Sequence, residues 1–199
     1  MKVVLADYGA GNLQSVCSAL ERAGAEGVIS QDATEVEEAA LAVIAGVGHL
    51  AACAEGMRSR GLDEALRRRV DAGRPVLGIC VGLQMLFEKS EEGGTGLGLL
   101  RGPVVRLKAR TVPHMGWNTL ELHGQLAICA GLEGEDVYFA HSYTARPIDP
   151  IAYAEVDHGG PIVAAVEQGP LAGLQYHPER SGAAGAKTLR NVIAWSRNV

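Results

Sequence analysis

Three stretches in the first eighty residues are apolar at nearly every position: KVVLADY at 2–8, LAVIAG at 41–46 and RPVLGI at 74–79. A strand without polar alternation leaves neither face for water, so it needs cover on both sides, and that is the condition of a parallel sheet flanked by helices. Helical patterns separate these strands. After GAGN, the residues Leu13, Val16, Cys17 and Leu20 fall at i, i+3, i+4 and i+7 and predict an amphipathic helix ending near Gly24. TEVEEA leads into the second strand, and Leu62, Leu66 and Val70 predict a helix over roughly 62–72. Strand and helix in alternation imply a three-layer α/β fold.

The second half changes character. PVVRL, WNTLEL, VYFAHSY, IAYAEV, IVAAVEQG and LAGLQYHP are short β-prone segments divided by Gly, Pro and Asp. They are expected to extend a mostly parallel central sheet with antiparallel strands, and an alanine-rich helix over about 183–196 is expected to cover one face. With 199 residues, 47% of them hydrophobic, and with no repeat or linker, residues 1–199 are expected to form a single domain.

Charge narrows the partners. A net charge of −5 and a pI near 5.7 offer no footprint for nucleic acid or an anionic membrane surface, which leaves small molecules and proteins. The run Arg67, Arg68, Arg69 reads as the solvated face of a helix. Cys17, Cys53, Cys80 and Cys129 form no CxxC pair, and VVLA before Asp7 is too short for the core of a signal peptide. A reducing, cytoplasmic setting is expected. The uncharged run LAVIAGVGHLAACA is too short and too broken by glycine to span a bilayer. Among the six histidines there is no HxxxH pair, and no cluster has ligand spacing, so neither a metal nor a cofactor is expected. DYGAGN lacks the third glycine of a dinucleotide loop, with Gln14 in its place.

GICVGLQ at 78–84 sets a cysteine between two glycines where a strand gives way to a helix. A sharp turn of this type lifts one side chain above the sheet, and small neighbours let strand and helix approach. The unpaired N–H groups of the helix start favour an anionic sulfur there. A nucleophile of this type needs a base, and QYHPER at 175–180 supplies one. In an extended segment His177 and Glu179 leave the same face, with Pro178 stiffening the pair, so the carboxylate can hold one ring nitrogen while the other meets the thiol.

GICVGLQ and YHPE resemble the signatures of the class I glutamine amidotransferases, with Cys80, His177 and Glu179 matching the catalytic triad. LADYGAGN, AGVG, VPHMGWN, YFAHSY and QYHPERS, in that order, resemble the branch of that family that supplies ammonia for imidazole glycerol phosphate synthesis. The resemblance implies a flavodoxin-like fold and the hydrolysis of L-glutamine, with ammonia passed through a tunnel to a cyclase subunit of (β/α)₈-barrel fold. It also implies an oxyanion hole from the N–H groups of Val47 and Val81, with Gly46 and Gly48 giving the loop its freedom. Gln84, Glu92 and the backbone around His141, Ser142 and Tyr143 match glutamine-binding positions, Glu92 facing the substrate ammonium. Trp117, Tyr138, Asn12 and Arg180 are the implied partner contacts, the two rings being equally readable as core aromatics. This chain departs from the family at Ala45, where proline is usual, and the change is expected to ease reorientation of the AGVG loop. Glutaminases serving anthranilate or pyridoxal phosphate synthesis resemble it less, because AGVG matches neither of their oxyanion loops. A catalytically silent module of the same fold is disfavoured by the intact triad.

Overall fold

A computed structural model describes residues 1–199. The first half runs β1 (Lys2–Ala6), α1 (Leu13–Arg22), β2 (Glu26–Ser30), α2 (Ala33–Glu38), β3 (Leu41–Gly46), α3 (Leu50–Arg58), α4 (Leu62–Asp71), β4 (Val76–Cys80) and α5 (Val81–Leu86). β3 and β4 are buried at every residue and β1 at all but its first, as the unbroken apolar runs require. Those strands pair in parallel, β1 with β3 and β3 with β4. Sequence patterning passed over β2, whose EGVIS is only half buried at the sheet edge, and α3, whose Leu50, Cys53, Ala54 and Met57 are buried at helical spacing. The asparagine of GAGN caps α1, its Oδ1 accepting from the Ser15 N–H at 3.3 Å.

The second half runs β5 (Lys89–Ser90), β6 (Pro103–Arg106), β7 (His114–Thr119), β8 (Glu121–His123), β9 (Asp136–His141), β10 (Tyr143–Ala145), β11 (Ala152–Asp157), β12 (Pro161–Gln168), β13 (Leu171–Leu174) and α6 (Gly182–Trp195), with single 3₁₀ turns at Ala127–Cys129 and Pro178–Arg180. Eight strands form one sheet in the order β2-β1-β3-β4-β13-β12-β11-β8. β12, β11 and β8 extend it antiparallel, as expected, whereas β13 inserts beside β4 in parallel. The remaining segments do not join it. β10-β6-β5 and β7-β9 form two small sheets of their own, and WNTLEL splits between β7 and β8 at the buried Leu120. α1 packs with α6, and α2 to α5 form the second helical group.

One expectation fails in α4. Arg69 is not on a solvated face but fully buried, its guanidinium donating to the carbonyls of Pro75 at 3.0 Å, Val36 at 3.1 Å and Glu37 at 2.8 Å. Burial lowers its pKa to about 10, aided by the nearby charge of Arg74. The cation ties α4 to the end of α2 and the start of β4, so backbone carbonyls replace the water that a surface arginine would keep.

Candidate active site

Cys80 ends β4 with φ 56° and ψ −111°, and it is the one non-glycine residue in the chain with positive φ. The turn is held by close packing. A Cβ on Gly78 would lie 2.5 Å from the Gly82 carbonyl oxygen, and one on Gly82 would overlap the carbonyl of Ile44 in β3. Glycine is therefore required at both positions by contact, and α5 begins at the next residue, Val81. The cysteine itself is 3% exposed.

β13 brings His177 alongside. Its register with β4 sets Leu174 opposite Ile79, so the residues just beyond both strands leave the same carboxyl edge of the sheet. His177 lies there, with its N–H donating to the Tyr138 carbonyl at 2.9 Å and its own carbonyl accepting from Ser181 Oγ at 2.7 Å. The Nδ1 of His177 is 2.9 Å from Glu179 Oε1, and both side chains are largely buried. Extended periodicity is not what joins them: Pro178–Arg180 is a 3₁₀ turn, and its tight rise folds the carboxylate back onto the ring. Burial opposes charging of this imidazole, but hydrogen bonds to Cys80 and Glu179, with their charges, raise its pKa to about 10. The carboxylate and the nearby thiol thus favour the protonated ring.

A family profile described as glutamine amidotransferase class-I matches residues 4–195. The chain belongs to the class I glutamine amidotransferases. It is 46% identical over 198 residues to the imidazole glycerol phosphate synthase subunit HisH of Mycolicibacterium paratuberculosis, covering 96% of each chain. The protein of the same description from Thermobifida fusca is 44% identical over 206 residues, covering 97% of this chain and 98% of that one. A crystal structure of a glutamine amidotransferase superposes with TM-score 0.81 at 19% identity over 98% of both chains, which shows the shared fold.

In this amidotransferase a cleft of about 240 Å³ opens over Cys80 and is lined also by Val47, Gly48, Val81, Gln84, Glu92, His141, Ser142 and Tyr143. Nine positions marked from sequence therefore meet in one cavity. Gly46 does not line it but pairs with Cys80 across the β3–β4 register, and a Cβ there would strike the Tyr8 hydroxyl. That hydroxyl donates to the Ala45 carbonyl at 2.9 Å. Val47 is half exposed at the rim, and Gly48 adopts φ 98°. Glu92 is not a solvated loop charge: Oε2 accepts from the Leu50 N–H at 2.9 Å and Oε1 sits 3.1 Å from His49 Nδ1. Asn12 is exposed beside a cavity of about 20 Å³ that it shares with Gly46, Val47, His177 and Glu179.

Of the aromatic pair, Trp117 is 56% exposed and so is no core residue; it packs edge-on against Tyr138 at 6.0 Å. The Arg180 guanidinium lies 4.5 Å above the Tyr138 ring. Sequence reading missed His49, Pro113, Met115 and Ala140 in the cleft wall. Pro113 and Met115 sat inside the quoted VPHMGWN, but only the fold shows which of its residues face the thiol. Linear spacing also hid a cross-strand group at the sheet edge, where Glu121, His123 and Glu155 bring ligand atoms within 4.8 Å of one another. No helix is long and apolar enough to cross a membrane.

Proposed function

We propose that this chain is the glutaminase subunit of an imidazole glycerol phosphate synthase, acting in histidine biosynthesis and delivering ammonia to a (β/α)₈-barrel cyclase subunit. The observation that carries the reading is the placement of His177, its Nδ1 2.9 Å from Glu179 Oε1, at the sheet edge where Cys80 is the one non-glycine residue with positive φ. In this reading the Cys80 sulfur adds to the side-chain carbonyl carbon of glutamine. Negative charge moves to the carbonyl oxygen and is met by the N–H of Val81 at the start of α5 and by that of Val47. His177 gives its proton to the departing nitrogen, which leaves as ammonia, and a thioester remains. It then takes a proton from water, whose oxygen attacks the thioester; glutamate is released and the thiol restored. Glu179 keeps Nδ1 protonated and the ring in position throughout.

Gln84 and Glu92 receive the amino-acid end of the substrate in this scheme, with the backbone of His141, Ser142 and Tyr143 opposite. The rim supports the partner assignment. Val47 and Met115 line the cleft and, like Trp117 two residues further along β7, are large apolar side chains at least half exposed, and a stable lid would cover them and keep ammonia from bulk water. Mixing the chain with a diazoketone analogue of glutamine and mapping adducts by mass spectrometry tests the chemistry, with modification expected at Cys80. Glutamate release is then compared for the chain alone, with the cyclase, and with the cyclase and its nucleotide substrate, the rates rising in that order. Unmodified Cys80 and no release in any mixture would overturn the assignment.

A further inference from the structure

Beside the triad lie buried polar groups that the reaction scheme does not use, His114, Gln175 and the His141 side chain, and they are linked to it through the substrate-side Gln84; each is under 7% exposed. Their hydrogen bonds form one continuous file, and its direction follows from a single atom. The Tyr143 carbonyl oxygen can only accept, and two groups reach it, His141 Nδ1 at 2.8 Å and Gln84 Nε2 at 3.0 Å. Both must donate, and together they fill the two lone pairs.

Each arm is then determined outward. With its proton on Nδ1, neutral His141 offers Nε2 as an acceptor, so His114 Nδ1, 3.0 Å away, must donate. His114 Nε2 is left as an acceptor and receives Asn118 Nδ2 at 3.3 Å, which also donates to the Asp157 carbonyl at 2.8 Å. On the other arm, Gln84 spends its second amide proton on Gln175 Oε1 at 3.1 Å. That contact turns the amide of Gln175 so that Nε2 faces the Cys80 sulfur at 3.9 Å. A flip of either glutamine would set donor against donor or oxygen against oxygen in a dry site. The His114 ring is held in place, stacked between Phe139 at 4.6 Å and His158 at 4.1 Å.

We propose that Gln175 and His114 are positioning residues of the glutaminase centre. Gln175 aims an amide N–H at the Cys80 sulfur, and His114, through His141, pins the Tyr143 carbonyl that decides which way that amide faces. The proposal rests on the glutaminase reading, and its test is arranged so that the two can fail separately.

The chain is assayed with its cyclase, and Cys80 is separately alkylated with iodoacetamide, which needs no glutamine site. Gln175→Met removes the donor and is expected to lower kcat and the alkylation rate about tenfold, the low end for a bond to a charged group, with KM within about twofold. Gln175→Glu keeps the acceptor for Gln84 but faces the sulfur with an anion, and a larger loss, about a hundredfold, is expected. His114→Leu should match Gln175→Met, while His114→Asn, whose amide N–H replaces the Nδ1 donor, should return to within about threefold of wild type. Thermal unfolding midpoints verify that the variants fold. Wild-type kcat and alkylation in both Gln175 variants, or no recovery in His114→Asn relative to His114→Leu, would overturn the proposal. An inactive wild-type complex whose alkylation still follows this order would instead remove the glutaminase reading and leave the positioning intact.

Discussion

Two groups of buried histidines, one at the carboxyl edge of the main sheet and one on the small β7–β9 sheet, sit on opposite sides of neutrality. His177 is raised to about 10, whereas His114 is lowered to about 4 and His141 to about 3. Burial pushes all three toward the uncharged form. The partners decide the outcome. His177 meets a carboxylate and a thiol, both able to carry negative charge; His114 meets another imidazole and an amide, and His141 meets an imidazole and a carbonyl. Among these histidines a charge persists only where an opposite charge faces it, and elsewhere the same residue becomes a fixed neutral dipole. One ring faces groups that favour its charge, and the other two rest as neutral members of fixed hydrogen bonds.

Removing the opposite charge attacks that contrast most directly. Glu179→Gln leaves a hydrogen-bond partner for Nδ1 but no charge, and glutaminase turnover with the cyclase should fall about 10⁴-fold, as for the equivalent change in a catalytic triad. The unfolding midpoint as a function of pH separates the two groups. His177 has a folded pKa above the ordinary histidine value of 6.5, so its contribution is complete below that pH and is lost as pH rises through about 10. A flatter alkaline limb in Glu179→Gln, with the acid limb unchanged, is the expected signature. His114 and His141 are shifted the other way, so their neutral forms stabilise the fold above pH 6.5 and that contribution is lost as pH falls toward 4 and 3. His114→Phe should make the acid limb shallower and leave the alkaline limb in place, and identical pH curves for the two variants would break the comparison.

The smallest effect concerns backbone strain, which belongs only to the charged group. At an ordinary position alanine is favoured over glycine, but at φ 56° the order should invert. Cys80→Gly is expected to exceed Cys80→Ala in unfolding free energy by about 1 kcal/mol, measured by denaturant titration. Equal stabilities would mean that the elbow carries no strain.

Much of this arrangement was legible in advance, and the limits have physical causes. β1, β3 and β4 were visible because burial on both faces writes an unbroken apolar run. Cys80 was visible because its glycine neighbours answer to contacts that allow no Cβ. Arg69 was misread because a charged residue among two others looks solvated; the three carbonyls that accept from it belong to other segments. The separation of β7 from β8 was hidden because WNTLEL is β-prone throughout and only pairing assigns each half to its sheet. Gln175 and His114 carried no signal of their own. Their meaning lies in which atom they face, and those atoms are 95 and 27 positions away in the chain.

The place of β13 between β4 and β12 has a consequence for the order in which the molecule comes into being. Cys80 leaves the ribosome about a hundred residues before His177, an interval of roughly 5–20 s at ordinary rates of synthesis. During that time the first four strands can already associate, yet the edge of β4 has no neighbour and the sulfur no imidazole. The meeting of thiol and imidazole is therefore among the last events in the life of the newborn chain, brought about by the same strand insertion that completes the sheet.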